Sequence, residues 1–272
     1  MSESACELIG SSPAMARLRQ ELAVAAKSSA KVVITGESGA GKELVARAVH
    51  SSSPRRLQSL RAVNCAGVPD TLLESELFGH LRGSFTGAIR DHQGVFEAAN
   101  GGTVVLDEIS DSSARMQALL LRFLQFGELQ RIGDSGFRHV DVRIIATTRR
   151  DLRELIAEGE FRLDLYYRLH VIGIRVPPLR ERVDDIPVLL DHFMMRFSIQ
   201  YQLPAPTVGT QTMEWLKDYN WPGNVRELRN LAERFVIRRE VGGLDPAWLE
   251  ATPTPSRFHR DAVCDTAPAR RE

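Results

Sequence analysis

"KVVITGESGAGKELVARAVH", Lys31 to His50, decides the fold. Val32 to Thr35 read as a buried strand, and "KELVARAVH" reads as a helix. Between them lies G-x-x-x-x-G-K, at Gly36, Gly41 and Lys42. A strand that runs through a glycine-rich turn into a helix is the setting of a phosphate-binding loop. The glycines let backbone N–H groups turn inward around phosphates, and the helix N-terminus adds partial positive charge. Lys42 then reaches the β and γ phosphates. Gly36, Glu37, Ser38, Gly39, Ala40, Gly41, Lys42 and Glu43 are the nucleotide-binding positions this implies, with ATP as the nucleotide and Mg²⁺ as its ion. The Ser or Thr that usually follows the lysine as a magnesium ligand is Glu43 here. It would hold the ion directly or through water.

Further along, "GGTVVLDE" ends a second apolar run in Asp107 and Glu108. In open α/β sheets, ligands gather at the C-terminal edge of the strands. Asp107 is placed to orient Mg²⁺ and its waters, and Glu108 to polarise the water that attacks the γ-phosphate. Neighbouring strand residues point to opposite faces, so two adjacent carboxylates can serve different ends.

Working outward, strands alternate with helices: "LRAVN", then "PDTLLESELFG" as a helix ended by glycine, "GTVVLDE", "SSARMQALLLRFLQFGE" as an amphipathic helix, "HVDVRIIATT" as a strand, "LYYRL" in a helical stretch, and "HVIGIRV" as a strand. Upstream, Ser12 and Pro13 read as N-cap and first residue of a helix through Met15, Leu18, Leu22 and Ala25. The alternation predicts a parallel sheet covered on both faces. It stops at "PPLRERVDDIP", after which only helices are expected. The expected organisation is a lead over 1–7, an α/β domain over 8–178, a small all-helical domain over 184–249, and a disordered tail over 250–272.

Composition narrows the class. The chain has 272 residues, and Lys+Arg and Asp+Glu are both 35, so it is not the basic chain that coats nucleic acid. The three cysteines, Cys6, Cys65 and Cys264, are far apart and form no CxxC, which argues against a disulfide framework or zinc site. There is no secretory signal, and no apolar stretch approaches the roughly 18 residues that span a bilayer. A cytoplasmic protein is expected, with no membrane partner.

Between the two phosphate-site motifs lies "GSFTGA", Gly83 to Ala88, an aromatic residue set among glycines. With "GESGAGKELVARAVH", "NCAGVPDTLLESELFGH", "GGTVVLDEIS", "FRLDLYYRL", "PPLRER" and "WPGNVRELRN", in this order, it makes the chain resemble the bacterial enhancer-binding proteins from about Leu8 to Leu249. These are AAA+ activators of sigma-54 RNA polymerase. The resemblance implies a P-loop ATPase with a helical lid, closing head-to-tail into a ring, usually a hexamer, with ATP at each interface.

It also assigns residues. Asn64 resembles the switch residue that holds Glu108 from water until ATP is sensed. Thr148 resembles the first sensor, near the γ-phosphate, although Arg149 follows it where the family usually has Asn. Arg162 and Arg168 resemble the arginines offered to a neighbour's ATP, a contribution on the order of 10³–10⁵ in rate. Their spacing does not put them on one helical face, so different roles are expected. Arg226 resembles the second sensor, in the lid, and Ile9 and Gly10 lie where the adenine-binding segment begins. Gly83, Ser84, Phe85, Thr86, Gly87 and Ala88 correspond to the loop that contacts sigma-54, with Ser84 in place of the usual Ala.

Family members usually carry a sensory domain before this region and a DNA-binding helix-turn-helix after it. Neither is expected here, so the chain is either a central domain alone or a protein without its own DNA-binding module. Two rival readings stand beside the activator. One is a sigma-54-binding modulator, or a subunit of a mixed ring, with weak ATPase. The other is an AAA+ remodeler of another target, which leaves "GSFTGA" unexplained.

Overall fold

The computed structural model describes residues 8–238. The lead, residues 239–249 of the expected helical domain and the tail lie outside them. In chain order the elements are α1 (Pro13–Ala26), β1 (Val32–Thr35), α2 (Lys42–Ser51), β2 (Leu60–Asn64), α3 (Asp70–Phe78), β3 (Gly79–His80), β4 (His92–Gln93), α4 (Val95–Ala98), β5 (Thr103–Asp107), α5 (Ala114–Phe126), β6 (Glu128–Leu129), β7 (Arg138–His139), β8 (Arg143–Thr148), α6 (Leu152–Ala157), α7 (Leu163–Leu169), β9 (Ile172–Arg175), α8 (Ile186–Tyr201), α9 (Thr210–Asp218) and α10 (Asn224–Arg238).

The main sheet is parallel, in the order β2-β5-β8-β1-β9. Strands covered on both faces read as continuous apolar runs, and alternate residues enter separate cores. Val33, Val104, Leu106, Ile144 and Ala146 join one core, with α3 and α5. Val32, Ile34, Val105 and Ile145 join the other, with α1 and α2. At the N-terminal edge of the sheet, buried Arg143 donates to the carbonyls of Ala25 (2.7 Å) and Ala30 (3.2 Å). It thereby pins the end of α1 below β1.

The strand expected across "HVDVRIIATT" is split. Arg138–His139 pairs antiparallel with β6, and only Arg143–Thr148 enters the main sheet. Between them the Asp141 carbonyl accepts from Gly101 N–H (2.8 Å) and Arg55 Nη1 (3.1 Å), so that residue leaves the ladder.

The helical domain has its own core, built on Phe197, Trp221, Leu228 and Phe235, and Leu179 already belongs to it. The junction is fixed by Asp185, which is fully buried. Its carboxylate accepts from Ser11 N–H (2.7 Å), Ser12 N–H (2.9 Å) and Ser12 Oγ (2.7 Å). Ser12 in turn caps α1 by accepting from Met15 N–H. Gly10 is required beside it, because a Cβ there would lie 2.6 Å from the Asp185 carboxyl carbon.

Asp185→Ala removes the acceptor for three donors, two of them buried. It is expected to cost about 3 kcal/mol, seen as a lower urea midpoint by circular dichroism. Asp185→Asn, which keeps one acceptor oxygen, should lose less, and an unchanged midpoint for the alanine variant would refute this role.

Candidate functional site

The phosphate loop, Gly36 to Gly41, leaves the C-terminal end of β1, and β5 delivers Asp107 to the same edge of the sheet. Gly39 and Gly41 take left-handed backbone angles, φ 74° and 107°. At these positions a side chain would strain the loop. Lys42 is buried, and its ammonium donates to the Gly36 carbonyl at 2.9 Å and the Glu37 carbonyl at 3.4 Å. It also pairs with Glu108 Oε1 at 3.0 Å. The two motifs therefore meet across β8, which lies between their strands.

Glu108 has φ 53°, a left-handed angle that a glutamate adopts only where its surroundings hold it. Three contacts do so. Its carboxylate is held by Lys42 and by the N–H of Arg149 on Oε2 (3.0 Å), and its own N–H donates to Thr147 Oγ1 (3.1 Å). Thr147 Oγ1 also donates to Asp107 Oδ1. One buried threonine thus touches both acidic residues. The Arg149 side chain turns away to Asp111 (3.1 Å).

Three assigned residues sit differently from expectation. Thr148 is buried, and among the described residues its hydroxyl bonds only to the backbone of Arg150. Strand parity explains this: Ala146 enters the core under α5, so Thr147 faces the side of α2 and Thr148 the opposite side. Asn64 stands in register with Asp107, but its Oδ1 accepts from Ala66 N–H (2.9 Å) in a tight turn. Glu108 is held by Lys42 and Arg149 instead. Glu43 is 62% exposed and paired with Arg47 one helical turn on (2.8 Å), along the outer face of α2.

The lid reaches the phosphate loop. Arg226 Nη1 donates to Ser38 Oγ (3.0 Å), and Arg226 N–H faces the Gly39 carbonyl. Ile9, Ala40, Gly41, Leu44, Arg182, Phe193 and Val225 line an open pocket of about 860 Å³ between the two domains. Gly10 serves the Asp185 junction rather than the pocket wall.

Arg162 and Arg168 lie at opposite ends of α7, both exposed. Arg162 pairs with Asp164 (2.8 Å), while Arg168 lies near Lys31, at the far edge of the sheet from the phosphate loop. Burial, and then Arg168, lower the Lys31 pKa. Gln117, which the sequence did not mark, is buried under the Arg162 end. It donates to the carbonyls of Ser112 (3.0 Å) and Glu160 (2.8 Å) and accepts from Arg162 N–H (2.9 Å), tying the turn after Glu108 to the start of α7. Beside Asp107, burial pushes the Cys65 thiol up to about 12, which leaves it unreactive.

The GSFTGA loop grows out between β3 and β4, with Gly83 and Gly87 at φ 79° and 107°. It is tied to residues 130–137 by Leu81 N–H to Ile132 O (3.0 Å) and Ile132 N–H to Gly79 O (2.9 Å). Phe85 is 37% exposed, and its ring rests edge-on against His80 of its own chain, centroids 5.0 Å apart. His80 Nδ1 is itself 2.7 Å from Ser75 Oγ. The imidazole thus covers part of the Phe85 ring. Ala88 is buried and supports the loop, whereas Gly83, Thr86 and Gly87 are exposed. The Ser84 hydroxyl is buried against Gly133, with no hydrogen-bond partner among the described residues.

Known proteins resemble this arrangement over most of the chain. The anaerobic nitric oxide reductase transcription regulator NorR of Aeromonas salmonicida is 50% identical over 243 residues, 89% of this chain and 48% of its own. The transcriptional regulatory protein ZraR of Salmonella typhimurium is 52% identical over 259 residues, 92% of this chain and 58% of its own. The crystal structure of NtrX from Brucella abortus in complex with ADP superposes with a TM-score of 0.83 at 39% identity, over 90% of this chain and 55% of that one. The same protein in complex with ATP gives 0.81 at 38% identity, over 94% and 61%. The chain thus spans about half the length of the relatives it matches. An AAA+ ATPase lid domain matches residues 180–262, and the sigma-54 interaction domain matches residues 8–175. The fold is that of an AAA+ P-loop NTPase with a helical lid, and the chain belongs to the sigma-54 interaction domain family.

Proposed function

We propose that this chain hydrolyses ATP and uses the cycle to press the GSFTGA loop against sigma-54 RNA polymerase, remodelling the closed promoter complex. The observation that carries the reading is the Lys42–Glu108 pair, 3.0 Å apart beside a pocket large enough for a nucleotide. In this arrangement Lys42 spends its donors on Gly36, Glu37 and Glu108, where phosphate oxygens would otherwise accept. Binding of ATP phosphates exchanges the Glu108 carboxylate for the γ-phosphate at Lys42. Glu108 is then free to take a proton from the attacking water.

Among the described residues no group of three or more His, Cys, Asp or Glu side chains could hold a metal. Asp107 beside the phosphate loop would hold Mg²⁺ with its carboxylate, whereas Glu43 is turned toward Arg47. The ion would supply charge neutralisation on the phosphates. The protein contributes the orientation of Asp107, through Thr147.

Arg162 and Arg168 have no place at their own chain's phosphate loop. We assign them to the neighbouring subunit's nucleotide in a closed head-to-tail ring, probed by the dependence of ATPase on protein concentration. Release of Glu108 from Lys42 reaches the turn at Ile109–Asp111, then Gln117 and the Arg162 end of α7. No helix among the described residues is long and apolar enough to cross a membrane. A cytoplasmic setting agrees with that and with the reading as a transcription regulator.

Hydrolysis rising with protein concentration, and capture of sigma-54 in the presence of an ADP–metal-fluoride analogue, test the reading together. A chain that hydrolyses no ATP at any concentration would refute it. Glu108→Gln should bind nucleotide but lose about 10²–10⁴ in kcat, measured by phosphate release. Phe85→Ala should abolish open-complex formation on a sigma-54 promoter while most ATPase remains; normal promoter opening by that variant would exclude Phe85 as the contact.

A further inference from the structure

Glu37 occupies one of the positions that the phosphate-loop pattern leaves open. Its backbone takes part in the loop, but phosphate binding makes no demand on its side chain. That carboxylate is nevertheless fully engaged. Arg180 donates to both oxygens, Nη2 to Oε1 at 2.6 Å and Nη1 to Oε2 at 2.9 Å, in the planar two-point geometry of a strong pair. Asn224 Nδ2 adds a third bond, to Oε2 at 3.0 Å.

These donors come from two separate elements. Arg180 belongs to the 3₁₀ turn Leu179–Glu181, the link between the α/β domain and the lid. Asn224 opens α10, is fully buried and holds φ 53°. Its Nδ2 also donates to the Ser38 carbonyl (3.1 Å), and its Oδ1 accepts from Leu179 N–H (2.8 Å). Phosphate loop, link and lid helix are therefore joined at one point. The approach is as close as backbones allow, since a Cβ on Gly39 would lie 2.3 Å from the Gly223 carbonyl oxygen. Arg226 follows Asn224 by less than one helical turn and reaches Ser38. The Arg180 guanidinium holds the Glu37 carboxyl below the usual carboxylate range, as expected of a group that stays ionised.

We propose that Glu37 is a positioning residue for ATP binding: it clasps the phosphate loop to Arg180 and Asn224, and so fixes the angle at which α10 presents Arg226. The inference rests on the ATPase reading above. The clasp acts through the lid, so its loss should fall on nucleotide affinity and on the contribution of Arg226. The chemical step at Glu108 should suffer less.

The test compares the full chain with Glu37→Gln, Arg180→Gln, Arg226→Ala and the Glu37→Gln/Arg226→Ala double variant. Equilibrium binding of a fluorescent ATP analogue is read beside KM, kcat and the thermal midpoint. Glu37→Gln and Arg180→Gln should each weaken analogue binding and raise KM by about tenfold, the loss of one charge-assisted bond. Their kcat should change by less than about threefold. The double variant should bind little worse than Arg226→Ala alone, because one substitution already removes what the other supports. Arg180→Gln lies outside the phosphate loop and keeps the test valid if Glu37→Gln disturbs the loop itself. Wild-type binding by both single variants, or independent multiplication of the two effects in the double variant, would overturn the clasp. A wild-type chain that bound no analogue would instead overturn the ATPase reading on which it rests.

Discussion

β8 has no solvent-facing residue, and it separates the strand that feeds the phosphate loop from the strand that ends in Asp107. This forces the site to be assembled across a strand that carries no acid and no phosphate-binding glycine of its own. Thr147 fills the gap with one hydroxyl, serving Asp107 and the backbone of Glu108. Lys42 closes the span from the other side. A shift of β8 by one residue would exchange Thr147 for Thr148 on the site face and undo both links. The apolar packing of Ile144 and Ala146 on one side and Ile145 on the other is what prevents such a shift.

The lid depends on a different kind of contact. Its core draws only Ile9 from the start of the α/β domain among the described residues, and its hold on the phosphate loop is polar, through Asn224, Arg226 and the Glu37–Arg180 pair. Polar contacts with specific geometry can be exchanged as nucleotide enters and leaves, whereas an apolar interface of the same size would fix one lid angle. The buried Asp185 anchor forms one side of this joint, with Arg182 beside it donating to the Ala40 carbonyl (2.8 Å). Arg180 and Glu37, on its other side, are partly exposed.

Much of this was legible in the sequence. The phosphate loop, the acidic strand end and the change from alternating elements to helices follow from periodicity and from glycines at fixed spacing. The α1 cap at Ser12 and Pro13 was equally plain. Residues whose role depends on which way a strand side chain faces were not. Thr147 and Thr148 are identical in chemistry, and only the register of β8 chooses between them. Glu43 stands beside Lys42 in sequence, but a nearby Arg47 determines where it points. Gln117, Asn224 and Asp185 act through partners far along the chain, and no local pattern marks such residues. Phe85 was recognisable as out of place among glycines, yet its contact with His80 needed the three-dimensional path of the loop.

The GSFTGA segment lies outside the five strands of the main sheet. It is closed off by the two-residue strands β3 and β4 and leans on the 130–137 turn, so its length and sequence enter neither the sheet register nor the two cores beside it. Closing a longer loop between such fixed ends costs free energy only as the logarithm of its length. In the proposed function, the loop that delivers the output is therefore an accessory beside the nucleotide site. A loop held this way can be lengthened or changed residue by residue, Ser84 included, without repacking the interior beneath it.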